Sequence, residues 1–208
     1  VCGPKAARSS PAPSGAATAA AIDPPPMTPH PASAHPGPAS GPASAPAPEA
    51  PRRPDLHFVF SHPAHALALG FGVGLSPVAP GTAGTLWGWL SFLVLQAWLP
   101  PTMLGWVIVA GVVLGWWACA IAARNLRNCD PGNVVWDEIV SFWIVLWLVM
   151  PAGFGAQLAA FLLFRFFDAA KPGPVCWADR LPGGYGWRGG LCVMLDDLVA
   201  AFCTLLVI

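Results

Sequence analysis

The chain has 208 residues, 55% of them hydrophobic and only 10% charged, with a mean hydropathy of +0.59 and a formal net charge of zero. Soluble domains carry about 25% charged residues, so the composition argues against an ordinary soluble domain, and without a basic excess no nucleic-acid partner is expected. Eleven Trp against one Tyr suits a helical membrane protein with aromatic side chains at the interface.

Residues 1–54 hold fifteen of the 25 prolines and almost no large apolar side chains. Such a segment cannot offset its ordering entropy by burial, so it is expected to be a disordered leader. It has no continuous apolar stretch of the kind a signal peptide needs. Cys2 and Arg8 match the C-x5-R spacing of thiol phosphatases, but that chemistry needs a rigid loop at a helix N-terminus, and chance explains the match. An ordered domain is expected over residues 55–208. His57, His62 and His65 come first; their spacing forms no metal motif and reads as surface or interfacial. The six cysteines include no C-x-x-C pair, which points to neither a zinc site nor a disulfide framework.

Five apolar segments follow. They are Leu86–Leu99, Met103–Ala123, Val134–Met150, Gly153–Phe167 and Leu195–Ile208, separated by Pro100-Pro101, polar loops and Pro151. The second is the clearest span, because about 20 residues at 1.5 Å rise cross the hydrocarbon core. The expected fold is therefore all-α, an integral membrane domain of four to five apolar helices. The turns at Pro100-Pro101 and Pro151 carry no charge, whereas Arg52-Arg53, Arg124 with Arg127, and Lys171, Arg180 and Arg188 lie on alternate loops. If each segment crosses once, the basic loops share one face, and the excess of Lys and Arg makes that face cytoplasmic.

The same count brings four remote stretches to that face. The first is the loop Gly70–Thr85, rich in Gly, Ser, Thr and Pro. Glycines let backbone N–H groups approach an anion, and hydroxyls add donors, so Ser76, Gly81, Thr82, Gly84 and Thr85 are candidate phosphate contacts. Thr82 or Thr85 is placed to cap the next helix. A plain turn into a membrane helix accounts for the same composition. The second stretch is Asp137-Glu138, where acids also merely complement a helix dipole. The third is Arg165, Asp168 and Lys171, spaced i, i+3, i+6; Arg165 and Asp168 share a helix face, which fits simple pairing and a catalytic role equally, and Pro172 ends that helix. The fourth is Asp196-Asp197, preceded by the glycine-rich loop 179–190, whose Arg180 is suited to cover an anionic head group or simply to be solvated. Two acidic pairs on one face repel unless a cation lies between them, and hard carboxylate oxygens suit Mg²⁺ better than zinc.

At GFGVGLSPVAPGTAGTLWG (70–88), VVWDEIVSFWIVL (134–146), FRFFDAAKPGPVCWADRL (164–181) and GGLCVMLDDLVAA (189–201) the chain resembles the phosphatidylglycerophosphatase A family of bacterial membrane lipid phosphatases. The four stretches occur in order and together are specific. The resemblance implies a helical, Mg²⁺-dependent, multi-pass protein of the bacterial inner membrane whose site faces the cytoplasm. It implies removal of the terminal phosphate of phosphatidylglycerophosphate to give phosphatidylglycerol, in a setting of membrane lipids. On that reading Asp137, Glu138, Asp196 and Asp197 bind Mg²⁺, with Asp168 a further candidate. Arg165 and Lys171 hold phosphate oxygens. The nucleophile is a water activated at the metal or one carboxylate acting through an aspartyl phosphate. The leader and the residues Tyr185–Arg188 depart from the family pattern. Two rival readings are a transporter whose intramembrane acids bind a cation, and a non-enzymatic assembly protein using its Trp-rich helices.

Overall fold

A computed structural model describes residues 54–126, 132–179 and 187–208. The leader 1–53, Arg127, Cys129, Asp130, and Arg180 with its loop through residue 186 lie outside the described residues, as does the side chain of Asp179. The expected candidate Arg180 therefore has no structural account.

Among the described residues all regular structure is helical. Two short helices, α1 (Leu56–Ser61) and α2 (Pro63–Ala68), lead into a tight 3-10 segment at Gly70–Leu75. Asp55 caps α1 by accepting from the Phe58 N–H, and His62 caps α2 through the Ala64 N–H. Then come α3 (Pro80–Trp98), α4 (Pro101–Leu126), α5 (Trp136–Leu148), α6 (Phe154–Ala170), the short α7 (Pro174–Asp179) and α8 (Trp187–Val207). The five longer helices match the five apolar segments in order.

Two starts differ from expectation. Helix α3 begins at Pro80, so Gly81, Thr82, Gly84 and Thr85 are helical residues and not a loop. Its N-cap is Ala79 in the left-handed region, without a side-chain cap; neither threonine caps it. Helix α8 begins at Trp187 and runs 21 residues, so the last segment is long and Trp187-Arg188 belongs to it. Both glycine clusters look like turns in sequence because glycine is the commonest turn residue. In the fold they permit close helix contact. A Cβ on Gly190 would stand 2.7 Å from the Ala120 nitrogen and 2.8 Å from the Trp116 carbonyl oxygen.

Helix α5 occupies the middle, packed on α3, α4, α6 and α8. Nine of its 13 residues are buried, and Val140, Phe142, Val145 and Leu146 join Phe92, Leu104, Phe164 and Met194 in the core. By length and composition α4 and α8 are long and apolar enough to cross a membrane. Helices α5 and α6, of 13 and 17 residues, fall short of the ~20 that a straight span needs. Outward-facing Trp98, Trp106, Val113, Leu162 and Phe202 are all more than half exposed, a surface suited to hydrocarbon rather than water.

The cysteines and histidines hold two corrections. Cys176 is disulfide-bonded, although no spacing announces it, because connectivity is not written in sequence. Cys119, Cys192 and Cys203 are free. His65 is buried at 4% exposure, not interfacial, because its ring stacks on Phe58 with centroids 4.0 Å apart.

Candidate active site

The chemistry-bearing residues gather around the N-terminal half of α5. Asp137 and Glu138 occupy its first turn. The Asp137 carboxylate accepts from the Glu138 N–H at 3.0 Å. Asp168 sits in the last turn of α6, and Asp196 and Asp197 lie mid-way along α8. Three helices thus deliver five carboxylates. They are close enough to feel one another: Glu138, Asp196 and Asp168 act on Asp137, and Asp168, Asp137, Asp196 and Glu138 act on Asp197. Asp137 and Asp197 are buried, at 6% and 4% exposure.

Among the described residues two cations answer them. Arg165 of α6 donates through one guanidinium nitrogen to Asp168 and, at 3.3 Å, to Glu138 Oε1. The same nitrogen lies 3.4 Å from Thr85 Oγ1, which itself donates to the Gly81 carbonyl at 3.0 Å. Lys171 closes α6 with a left-handed backbone (φ 43°), a conformation costing a non-glycine residue about 1 kcal/mol or more. From there its Nζ reaches Asp196 Oδ2 at 2.7 Å. The Arg165–Asp168 pair is one of the two readings the sequence left open, and α6 ends before Pro172 as expected.

Helix α3 supplies the remaining wall. A Cβ on Gly81 would collide with Glu138 Oε1, and one on Gly84 would lie 2.7 Å from Glu138 Oε2 and from Val135 Cβ. These glycines admit the Glu138 carboxylate against the first turns of α3. Among the described residues Gly81, Gly84 and Thr85 are thereby joined to the cluster. Ser76 and Thr82 are not: no hydrogen bond links them to it, and the Ser76 hydroxyl is spent on the Val78 carbonyl at 2.9 Å.

Ser141 escaped the sequence reading. It is fully buried on α5, one turn beyond Asp137, and its Oγ has no hydrogen-bond partner. A lone serine at i+4 from an acid, in a helix otherwise apolar from Ile139 to Leu148, was the available signal.

The set tests well for a hard divalent cation by charge and donor type. Among the described residues five carboxylates meet two basic side chains, and Glu138 Oε2 is buried without a hydrogen-bond partner. Such an excess of buried negative charge needs a counter-charge. The present arrangement is one of ion pairs, however, and among the described residues no three His, Cys, Asp or Glu side chains stand ready around a common point.

Comparison with known proteins identifies the family. The family described as "PgpA: Phosphatidylglycerophosphatase A" matches residues 66–208. A protein of Escherichia coli (strain K12) named phosphatidylglycerophosphatase A is 38% identical over 140 residues, 67% of this chain and 78% of that protein. One of the same name from Haemophilus influenzae is 36% identical over 148 residues, 71% of this chain and 87% of the relative. A Bacteroides thetaiotaomicron protein, provisionally named phosphatidylinositol-3-phosphatase, is 40% identical over 148 residues, 68% of this chain and 89% of its own length. No solved structure matches. The family match runs through α3 to α8 and includes every residue of the carboxylate cluster, so the chain belongs to the phosphatidylglycerophosphatase A family.

Proposed function

We propose that this protein hydrolyses the terminal phosphomonoester of phosphatidylglycerophosphate, yielding phosphatidylglycerol and inorganic phosphate in phospholipid biosynthesis. Water adds its oxygen to phosphorus, the bond from phosphorus to the glycerol oxygen breaks, and that oxygen leaves with a proton. The observation that carries the reading is the convergence of five carboxylates, Arg165 and Lys171 from α5, α6 and α8, in a chain of this family.

Mg²⁺ is the cofactor this donor set suits, with Asp137, Glu138, Asp196 and Asp197 to hold it and Asp168 beside them. When bound, the cation supplies positive charge to the phosphoryl oxygens. Of the carboxylates, Glu138 is paired with Arg165 and Asp196 with Lys171. With a cation held by these carboxylates, Arg165 and Lys171 would be available to bind phosphate oxygens, where charge develops in the transition state. The first turn of α3, at Gly81 and Thr82, offers its amide end to the same anion. Arg180 is a further candidate on the adjoining loop. One of these carboxylates is also the means to take the proton of an attacking water.

The protein is read as a multi-pass helical domain of the bacterial inner membrane, its carboxylate end toward the cytoplasm. Support comes from the apolar α4 and α8, the apolar outer surface, and the distribution of Arg and Lys in the sequence. The Bacteroides relative's name favours a second reading with a different phosphorylated lipid head group. Purified protein assayed for phosphate release from phosphatidylglycerophosphate and from phosphatidylinositol 3-phosphate, with Mg²⁺ and with chelator, separates the two. The expected result is Mg²⁺-dependent release from phosphatidylglycerophosphate. Release from neither lipid overturns the assignment, and chelator-resistant release overturns the cofactor.

A further inference from the structure

Outside the carboxylate cluster, the most completely engaged polar side chain among the described residues is His65. Its Nδ1 lies 3.1 Å from the Phe58 carbonyl oxygen and 3.0 Å from Ser61 Oγ. A carbonyl only accepts, and the Ser61 hydroxyl already donates to that same carbonyl at 2.7 Å, so Nδ1 carries the proton. Nε2 is then the acceptor, and the Asn125 side-chain amide donates to it at 2.8 Å. One neutral imidazole thereby joins α1, α2 and the end of α4.

What α2 holds in turn is the start of α5. Ala68, one residue triplet beyond His65, accepts the Val135 N–H at 3.0 Å, two residues before Asp137. Asn133 Nδ2 donates to the Gly74 carbonyl at 2.7 Å, and a Cβ on Gly70 would stand 2.9 Å from Val135 Cγ2. The segment 68–74 and the entry to α5 are therefore fitted to each other, and α2 transmits the position of one to the other.

We propose that His65 is a positioning residue for the phosphatase reaction: as a neutral imidazole it clamps α2 between α1 and α4 and so fixes the first turn of α5, with Asp137 and Glu138. This rests on the functional reading above. The clamp is pH-sensitive. Burial, and to a lesser extent the charge of His62, whose ring centroid is 5.4 Å away, hold the His65 pKa below its ordinary value. No carboxylate among the described residues acts on it, and the α4 partner, Asn125, is neutral. A depressed histidine pKa means that the unfolded or opened form binds the proton better. The clamp is whole above about pH 6.5 and weakens as pH falls through that value.

The test uses the full chain in phosphatidylglycerophosphate micelles, measuring kcat between pH 5 and 8 and hydrogen exchange at Val135. The variants are His65→Ala, His65→Gln and Asn125→Asp; Asn125 is a surface residue, so the last is expected to fold. The wild type should lose kcat and Val135 protection together on acidification. His65→Ala should lower kcat about tenfold or more at neutral pH, as expected when catalytic groups are displaced from a distance. Glutamine, which can donate to Phe58 and accept from Asn125, should restore most of that rate and remove the acid loss of protection. Asn125→Asp should keep protection in acid, because a carboxylate accepts from the imidazolium. If all four proteins share one acid limb, or Val135 exchange is indifferent to pH, the clamp is wrong. A wild type that releases no phosphate defeats the functional reading instead, and the exchange measurements still decide the clamp.

Discussion

On one face of α5, Trp136, Trp143 and Trp147 donate their indole N–H groups to the backbone carbonyls of Gly111, Gly88 and Pro101, at 3.0, 2.8 and 2.9 Å. On the opposite face, Asp137, Glu138 and Ser141 present carboxylates that repel one another and a hydroxyl without a partner. At 100° per residue the two sets lie about 140° apart around the helix. The indole face fixes α5 against α3 and α4 with every donor used, and each such bond contributes about 1 kcal/mol net. The acidic face leaves polar groups unmatched in a buried setting, which destabilises the fold. A protein keeps that arrangement where a ligand completes it. The difference identifies which side of the central helix is framework and which is site.

The largest expected effect comes from isosterically neutralising the acidic face of α5 or the α8 carboxylate that faces it. Asp137→Asn and Asp197→Asn each remove a charge that its neighbours repel. Turnover should fall by at least about a hundredfold. Stability should hold or rise, because like-charge repulsion in a buried site is relieved. Phosphate release per folded protein, set beside thermal unfolding of the same samples, checks both. Near wild-type rates would make the cluster mere helix-end decoration and erase the distinction between the faces.

The opposite signature is expected from the indole face. Trp143→Phe keeps the ring's packing against Trp136, 5.8 Å between centroids, but loses the indole N–H bonds to Gly88 O and Ser91 Oγ, leaving the Ser91 hydroxyl as the side-chain donor to Gly88 O. Stability should drop by about 1–2 kcal/mol while kcat is retained. Denaturation and turnover measured on the same preparation decide it. A large loss of kcat without loss of stability would mean that the indole face takes part in the chemistry.

How far this division was readable in sequence depends on the range of the interaction. The apolar runs specified the helices, because a run of uncharged large side chains has few other folds available. The acids of three of the four short stretches do come together in the fold. Helix starts went wrong at Pro80 and Trp187, since a glycine that opens a turn and a glycine that admits a neighbour look alike until the neighbour is known. Gly84 is needed for Glu138, 54 positions away, and Gly190 for Ala120. The Lys171–Asp196 ion pair and the His65–Asn125 bond join residues 25 and 60 apart, and no local pattern announces either. The acids were legible as types and the basic partners as candidates; who pairs with whom belongs to the fold.

Ser141 offers the finest test of the two-face contrast. Its side chain is fully buried between the acidic first turn of α5 and the core residue Val145, one helical turn to either side. A buried hydroxyl with no partner costs free energy, whereas the same volume occupied by a methyl group does not. If Ser141 served the framework, Ser141→Ala would destabilise the protein. The face to which it belongs predicts the reverse, a gain of up to about 1 kcal/mol in unfolding free energy. Turnover reports the second half of the argument. A hydroxyl retained at a structural cost beside Asp137 and Glu138 is there for the loaded site, so Ser141→Ala should also lower the rate modestly, by less than the Asp137→Asn change. A stabilised, slower variant sharpens the assignment of this face to function. A destabilised variant with unchanged turnover would move Ser141 to the framework side and shrink the site to its carboxylates.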